Sequence, residues 1–218
     1  RSAKRILADK ADMGLPAGPS ESMVIADGSA DAHRVALDLA IEAEHGADSQ
    51  ALLVTPSQKL AEEVAMRLAR IIEGAPEPRK GFLQAVFSGY GGILLTQDMD
   101  EAFEVVNSFA PEHLQIRTAD PWTSLSHISN AGEVLLGEHA AFSLANYAVG
   151  ANAVLPTGGK AKTWAGVSVR DFMKSQSVVY LAREGYDTLR DHVIALAEYE
   201  GFYTHALALK ERDEPQSL

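Results

Sequence analysis

The stretch FAPEHLQIR, Phe109 to Arg117, sets Glu112 beside His113 directly after Pro111. Moving protons and activating water at one carbon calls for these two residue types. Imidazole titrates near neutrality and is the usual general base, and a neighbouring carboxylate can take a proton from water. Proline biases the residue before it toward extended backbone, and a strand sends adjacent side chains to opposite faces. Both groups therefore reach one cleft if the strand starts after His113. A surface loop carrying the pair is the competing reading.

Other groups carry weaker chemical signals. Glu42 and His45 lie three apart near the end of a helical stretch, so they share a face, and carboxylate and imidazole both suit zinc. A solvated helix end with Gly46 as its cap accounts for the same pair. Glu200 and His205 lie five apart on the last helical segment and reach a common pocket from adjacent turns without stacking. A helix surface explains His205 equally. His33, His127, His139 and His192 have no evident partner. AGPSESMVIAD, Ala17 to Asp27, places small residues before a strand, where the backbone can approach a ligand closely. It fails as a phosphate loop, because the chain has neither a Walker pattern nor GxGxxG.

The elements that must position these groups alternate. Strands are expected at ESMVIAD, ALLVTP, ILLTQ, HLQIR and EVLLG. Helices are expected over residues 31–45, with Ser29 or Asp31 as cap, over 57–75 capped by Ser57, over RKGFLQAVFSG, over DMDEAFEVVNSF up to Pro111, and over DPWTSLSHIS. Strand–helix alternation implies right-handed crossovers, hence an α/β fold: a doubly wound, mainly parallel sheet, an incomplete Rossmann-like unit with a small helical C-terminal appendage. The boundaries are set at residues 1–167 and 168–218. Functional groups in such folds are expected at the carboxyl ends of strands. Glu138 to Gly166 lacks a clear period, and within it NYAVGANAVLPTGG is either a mobile lid or a packed connector. Beyond it come a short helix, an extended piece, one long terminal helix and the polar tail EPQSL.

The chain has 218 residues, 46% of them apolar, enough for one large domain or one domain with an appendage. A net charge of −11, a pI of about 5.0 and no basic tract argue against nucleic acid or an anionic membrane surface as partner. There are no cysteines, which excludes disulfides and thiolate metal sites and suits a cytoplasmic location. No apolar run approaches the roughly 20 residues of a membrane span, and no signal peptide is visible. RSAKRILADKADMG has no initiator methionine and reads as the end of a helix already under way, so this chain is expected to be the later part of a longer protein. A tag scar or processed terminus is the alternative.

Taken together, AGPSE, EAEHG, APEHLQI, NYAVGANAVLPTGG with the following WAGVSVRDFMKSQSVVYL, and EGFYTH resemble the histidinol dehydrogenase family, in order and at near-family spacing. The resemblance covers nearly the whole chain but only the later half of a family protein. It implies oxidation of L-histidinol to L-histidine in two NAD-dependent steps, one zinc ion, and an intertwined homodimer. By the same resemblance Glu112 and His113 match the acid/base pair, and His45 and His205 match zinc ligands. Ser20 and Glu200 match substrate contacts, beside His113, with Glu200 and His205 donated across the dimer. The family's nicotinamide-binding positions lie mostly before Arg1.

Three positions depart from the family pattern. Glu42 stands for a glutamine ligand, Asn146 for an aspartate ligand, and Ala153 for a substrate-contacting histidine. The first two exchange an amide and a carboxylate, so the formal ligand charge is kept and a zinc set of Glu42, His45, Asn146 and His205 is expected. Ala153 removes an imidazole and implies a poorer fit to histidinol, with another small amino alcohol or diol as the substrate. A non-catalytic relative that has lost the metal site, and a module active only with a separate amino-terminal chain, are the remaining readings.

Overall fold

A computed structural model describes Ile6, Gly14, Leu15 and residues 18–212. The chain divides into two compact units, one ending at Met173 and the other beginning at Lys174. The helix end expected over the first fourteen residues falls almost wholly outside the described residues, as does the tail EPQSL. Among the described residues no helix is long and apolar enough to cross a membrane.

The first unit runs β1 (Glu21–Ala26), α1 (Ala32–Ala43), β2 (Gln50–Thr55), α2 (Gln58–Gly74), α3 (Arg79–Gly89), β3 (Gly92–Leu95) and α4 (Met99–Phe109), then β4 (His113–Arg117), α5 (Pro121–Leu125), β5 (Glu133–Leu136) and α6 (Phe142–Tyr147). Every strand pairs in parallel, in the order β3-β2-β1-β4-β5. This is the expected α/β architecture, and the strand order reverses between β1 and β4. Short polar side chains start the helices by satisfying free backbone N–H groups. Asp31 accepts from the His33 and Arg34 amides, Ser57 from Leu60, and Asp98 from Glu101. Pro111 stops α4 as expected, but buried Ala110 makes the turn, with φ of +56° in the left-handed region. A non-glycine residue there is strained by about 1–2 kcal/mol.

Two apolar layers sandwich the sheet. Val24, Leu53 and Leu135 face Val35, Leu39, Val64 and Phe142 on one side. Met23, Ile25, Val54, Leu114 and Ile116 face Ala102, Phe103 and Val106 on the other. The alternation of β4 therefore puts His113, Gln115 and Arg117 on the α1 and α6 face. Because α1 runs back along the sheet before β2 begins, its last turn arrives at the amino ends of the strands.

The irregular segment after β5 holds α6 and two 3₁₀ turns, Lys160–Lys162 and Val169–Phe172. Leu155 and Thr157 are buried, and the Val167 amide donates to the Val154 carbonyl at 3.0 Å. Residues 155–157 are thus a packed connector, while residues 149–154 are exposed.

The second unit corrects the expectation of one terminal helix. It contains α7 (Arg183–Tyr199) and α8 (Tyr203–Lys210). The break falls at Gly201, whose φ of +77° is the left-handed turn that commonly ends a helix. A Cβ at Gly201 would meet nothing within 4 Å, so any penalty there is of the backbone alone. Gly201→Ala is expected to lower unfolding free energy by about 1–2 kcal/mol, read by urea titration.

Candidate functional site

The acid–base candidates converge at the amino edge of the sheet. β4 begins at His113, and Glu112 occupies the bend before it. Both residues are buried, with the His113 Nε2 and Glu112 Oε2 atoms 3.9 Å apart. The candidates thus lie at the end of the sheet opposite to the carboxyl ends where functional groups were expected. The carboxyl edge does hold a cavity of ≈ 180 Å³ lined by Ser29, Asp31, Arg34, Arg117, Thr118 and Glu138. Arg34 there pairs with Glu138, Arg117 with Asp38, and Asp31 caps α1, while the buried Arg117 Nε and Nη1 atoms have no hydrogen-bond partner among the described residues. None of the acid–base candidates lines it.

Sequence reasoning missed two carboxylates that complete the amino edge. Glu133 opens β5 opposite His113, and its Oε2 lies 2.9 Å from His113 Nδ1. Glu21 opens β1. Its amide donates to Glu112 Oε2 at 3.0 Å, and its Oε1 accepts from the Gly158 amide at 2.7 Å, tying the VLPTGG segment to the same corner. The Glu21 Oε2 and Ser22 Oγ atoms are buried without a hydrogen-bond partner among the described residues. A signal for both glutamates was present, since each is a charged residue opening a mainly apolar strand. Gly132 is required beside them. A Cβ there would sit 2.6 Å from the Glu112 carbonyl oxygen and 3.0 Å from Pro156.

A second group forms where the end of α1 meets α6. Glu42 is buried, and its Oε1 accepts from Asn146 Nδ2 at 2.8 Å. Its Oε2 lies 3.4 Å from His45 Nδ1. His45 Nδ1 also lies 3.1 Å from the Ile41 carbonyl oxygen. A backbone carbonyl on Nδ1 leaves Nε2 as the ligand nitrogen, the usual arrangement behind a metal-bound histidine. Among the described residues, no three His, Cys, Asp or Glu side chains form a metal-binding group. With the amide oxygen of Asn146 turned inward, however, Glu42, His45 and Asn146 offer one carboxylate, one imidazole and one amide oxygen, a donor set that fits zinc.

The remaining candidates are placed by their own elements. Ser20 precedes β1, and its carbonyl accepts from the Gln50 amide. Ala153 is exposed in the irregular segment. In the second unit Glu200 caps α7, and the exposed His205 ring on α8 lies 5.1 Å from that of Phe202.

Burial pushes the Glu112 carboxyl up from 4.5 to about 7, outweighing the Glu21 amide and the neighbouring His113. Burial alone would lower the His113 pKa, but Glu133, Glu42 and Glu112 raise it on balance. A carboxyl that binds its proton more tightly in the native state stabilises the fold below its ordinary pKa, and this is lost as pH rises through the folded value. Unfolding free energy should therefore fall between pH 4.5 and about 7. Glu112→Gln should flatten that slope in urea titrations across the same window.

The family model described as "Histidinol dehydrogenase" matches residues 1–213. The chain is 50% identical over 212 residues to the histidinol dehydrogenase of Synechocystis sp., covering 97% of this chain and 49% of that protein. It is 48% identical over 215 residues to a "Histidinol dehydrogenase homolog" of Colwellia psychrerythraea, covering 98% and 48%. The crystal structure of histidinol dehydrogenase from Elizabethkingia anophelis superposes with a TM-score of 0.89 at 31% identity, over 97% of this chain and 48% of that one. The chain spans about half the length of the curated relatives it matches. With nearly all of its residues matched by that model, the chain belongs to the histidinol dehydrogenase family.

Proposed function

We propose that this chain supplies the acid–base and metal-binding part of an NAD-dependent dehydrogenase that oxidises a small amino alcohol to its acid in two hydride-transfer steps. The observation that carries the reading is the buried Glu112–His113 pair at the edge where Glu42, Asn146 and His45 also meet. Family membership supports L-histidinol as the first substrate to consider. The exposed Ala153 favours a second reading, another small amino alcohol or diol. A site built to hydrogen-bond a polar group discriminates by about 10⁴-fold or more when one partner is missing.

In the first step the hydroxyl proton passes to His113 Nε2 while the carbon loses hydride, giving the aldehyde. In the second, water adds to the aldehyde carbon and its proton passes to Glu112, leaving the hydrate as its alkoxide, which then loses a second hydride and becomes the acid. A base with a pKa of about 7 suits this work near neutral pH. In the homodimer proposed below, Ser20 holds the substrate beside His113 and Glu200 of the partner subunit adds a second contact. Glu42, His45 and Asn146, with His205 of the partner subunit, would hold a zinc ion that would supply Lewis-acid polarisation, and a bound nicotinamide cofactor would be the hydride acceptor.

The test is NADH formation by the full-length protein with zinc, offered L-histidinol and then a panel of small amino alcohols and diols. Turnover is expected, with kcat lowered about 10²–10⁴-fold in Glu112→Gln and in His113→Asn. Silence with every alcohol, in a folded protein, overturns the reading.

The proposed working form is a cytoplasmic homodimer in which the second unit of each protomer gives Glu200 and His205 to its partner. Support comes from the apolar surface of that unit, where Val178, Val179, Tyr180, Tyr199 and Tyr203 are all exposed, as interaction surfaces often are. Dilution to monomer is expected to lower activity and zinc affinity together, followed by sedimentation and metal titration.

A further inference from the structure

The amino edge contains more carboxylates than the proposed reaction uses, and one of them holds the base from behind. Glu133 Oε2 and His113 Nδ1 are 2.9 Å apart, with both side chains nearly buried. Two features fix the contact. Parallel pairing of β4 with β5 sets the two residues level. Phe142 packs its ring across the imidazole, with centroids 5.9 Å apart and planes at 69°. The other ring nitrogen, Nε2, is 3.9 Å from Glu112, too far for a hydrogen bond, so it is uncommitted on that side.

We propose that Glu133 is the positioning residue of His113: it accepts a hydrogen bond from Nδ1–H, so fixing the tautomer that leaves the lone pair on Nε2, and steadies the imidazolium once the substrate proton has arrived. This inference rests on the acid–base reading of His113 given above. Neutral imidazole has one donor and one acceptor nitrogen, and the partner of one sets the role of the other. A carboxylate behind a histidine base is a recurrent arrangement for this purpose. The charged groups facing His113 divide by position: Glu133 from β5 on Nδ1, Glu112 from the bend before β4, and Glu42 from α1. Only the first is in hydrogen-bond contact with the ring.

The experiment uses the full-length protein with zinc and NAD, and compares Glu133→Gln and Glu133→Met with the parent. Glutamine keeps the shape and an acceptor oxygen but loses the charge; methionine loses the acceptor. Graded kcat is expected, down about tenfold in Glu133→Gln and about 10³-fold in Glu133→Met, with KM little changed and the acid limb of the kcat profile moved to lower pH. Nitrogen-15 NMR of the imidazole reads the tautomer without turnover. His113 should be Nδ1-protonated in the parent and lose that preference in Glu133→Met. If the parent turns over no alcohol, the dehydrogenase reading fails while the tautomer measurement still decides the role of Glu133. An Nε2-protonated parent ring overturns the proposal. So does a kcat that falls equally in both variants with an unmoved pH profile, since that is the mark of lost packing.

Discussion

Parallel pairing around β4 is the constraint on which the rest of the structure depends. Pairing with β1 sets His113 level with Ser22, and pairing with β5 sets it level with Glu133. Residues far apart in the chain thus arrive at one height on one face of the sheet. The right-handed return of α1 then delivers Glu42 to that height from above the sheet, and α6 adds Phe142 and Asn146. The candidate groups stand at the amino edge because His113, Glu133 and Glu21 are the first residues of their strands and Glu112 occupies the bend just before β4.

Burial of so many ionisable groups is expensive unless each finds a partner. The groups of β4 meet this requirement unequally. Arg117 is paired with Asp38, yet burial still holds the Asp38 carboxyl above its ordinary range, so desolvation outweighs the ion pair. Gln115 gives its amide to the Ala140 carbonyl at 2.7 Å. Glu21 is also pushed up by burial, despite the Gly158 amide and the nearby Lys160. Incomplete compensation is the same physics that brings Glu112 to about 7.

The sheet and its covering helices were legible because their signals are local. Asp31, Ser57 and Asp98 begin helices by bonding amides two or three residues on, β2, β3 and β5 are built on short apolar runs, and β4 alternates polar and apolar residues. The split between α7 and α8 was less visible, because one glycine in a long helical pattern is tolerated as often as it breaks it. The site was half legible. Glu112 and His113 announce themselves by adjacency, and Glu42 and His45 by helical spacing. Glu133 and Glu21 form their contacts through strand register across 20 and 91 residues, and no local pattern carries that information. The edge at which the site stands depended on the same register.

The alternation of β4 has a consequence for how the chain finds its fold. All five of its residues are buried, yet His113, Gln115 and Arg117 share one face while Leu114 and Ile116 share the other. A slip of one residue would exchange the faces. An imidazole, an amide and a guanidinium would then enter the apolar layer of Met23, Phe103 and Val106 without partners, while two aliphatic side chains faced Asp38 and Glu42. The polar stripe thus acts as a proofreading element, rejecting every off-by-one alignment of the central strand during assembly, whatever use is later made of His113.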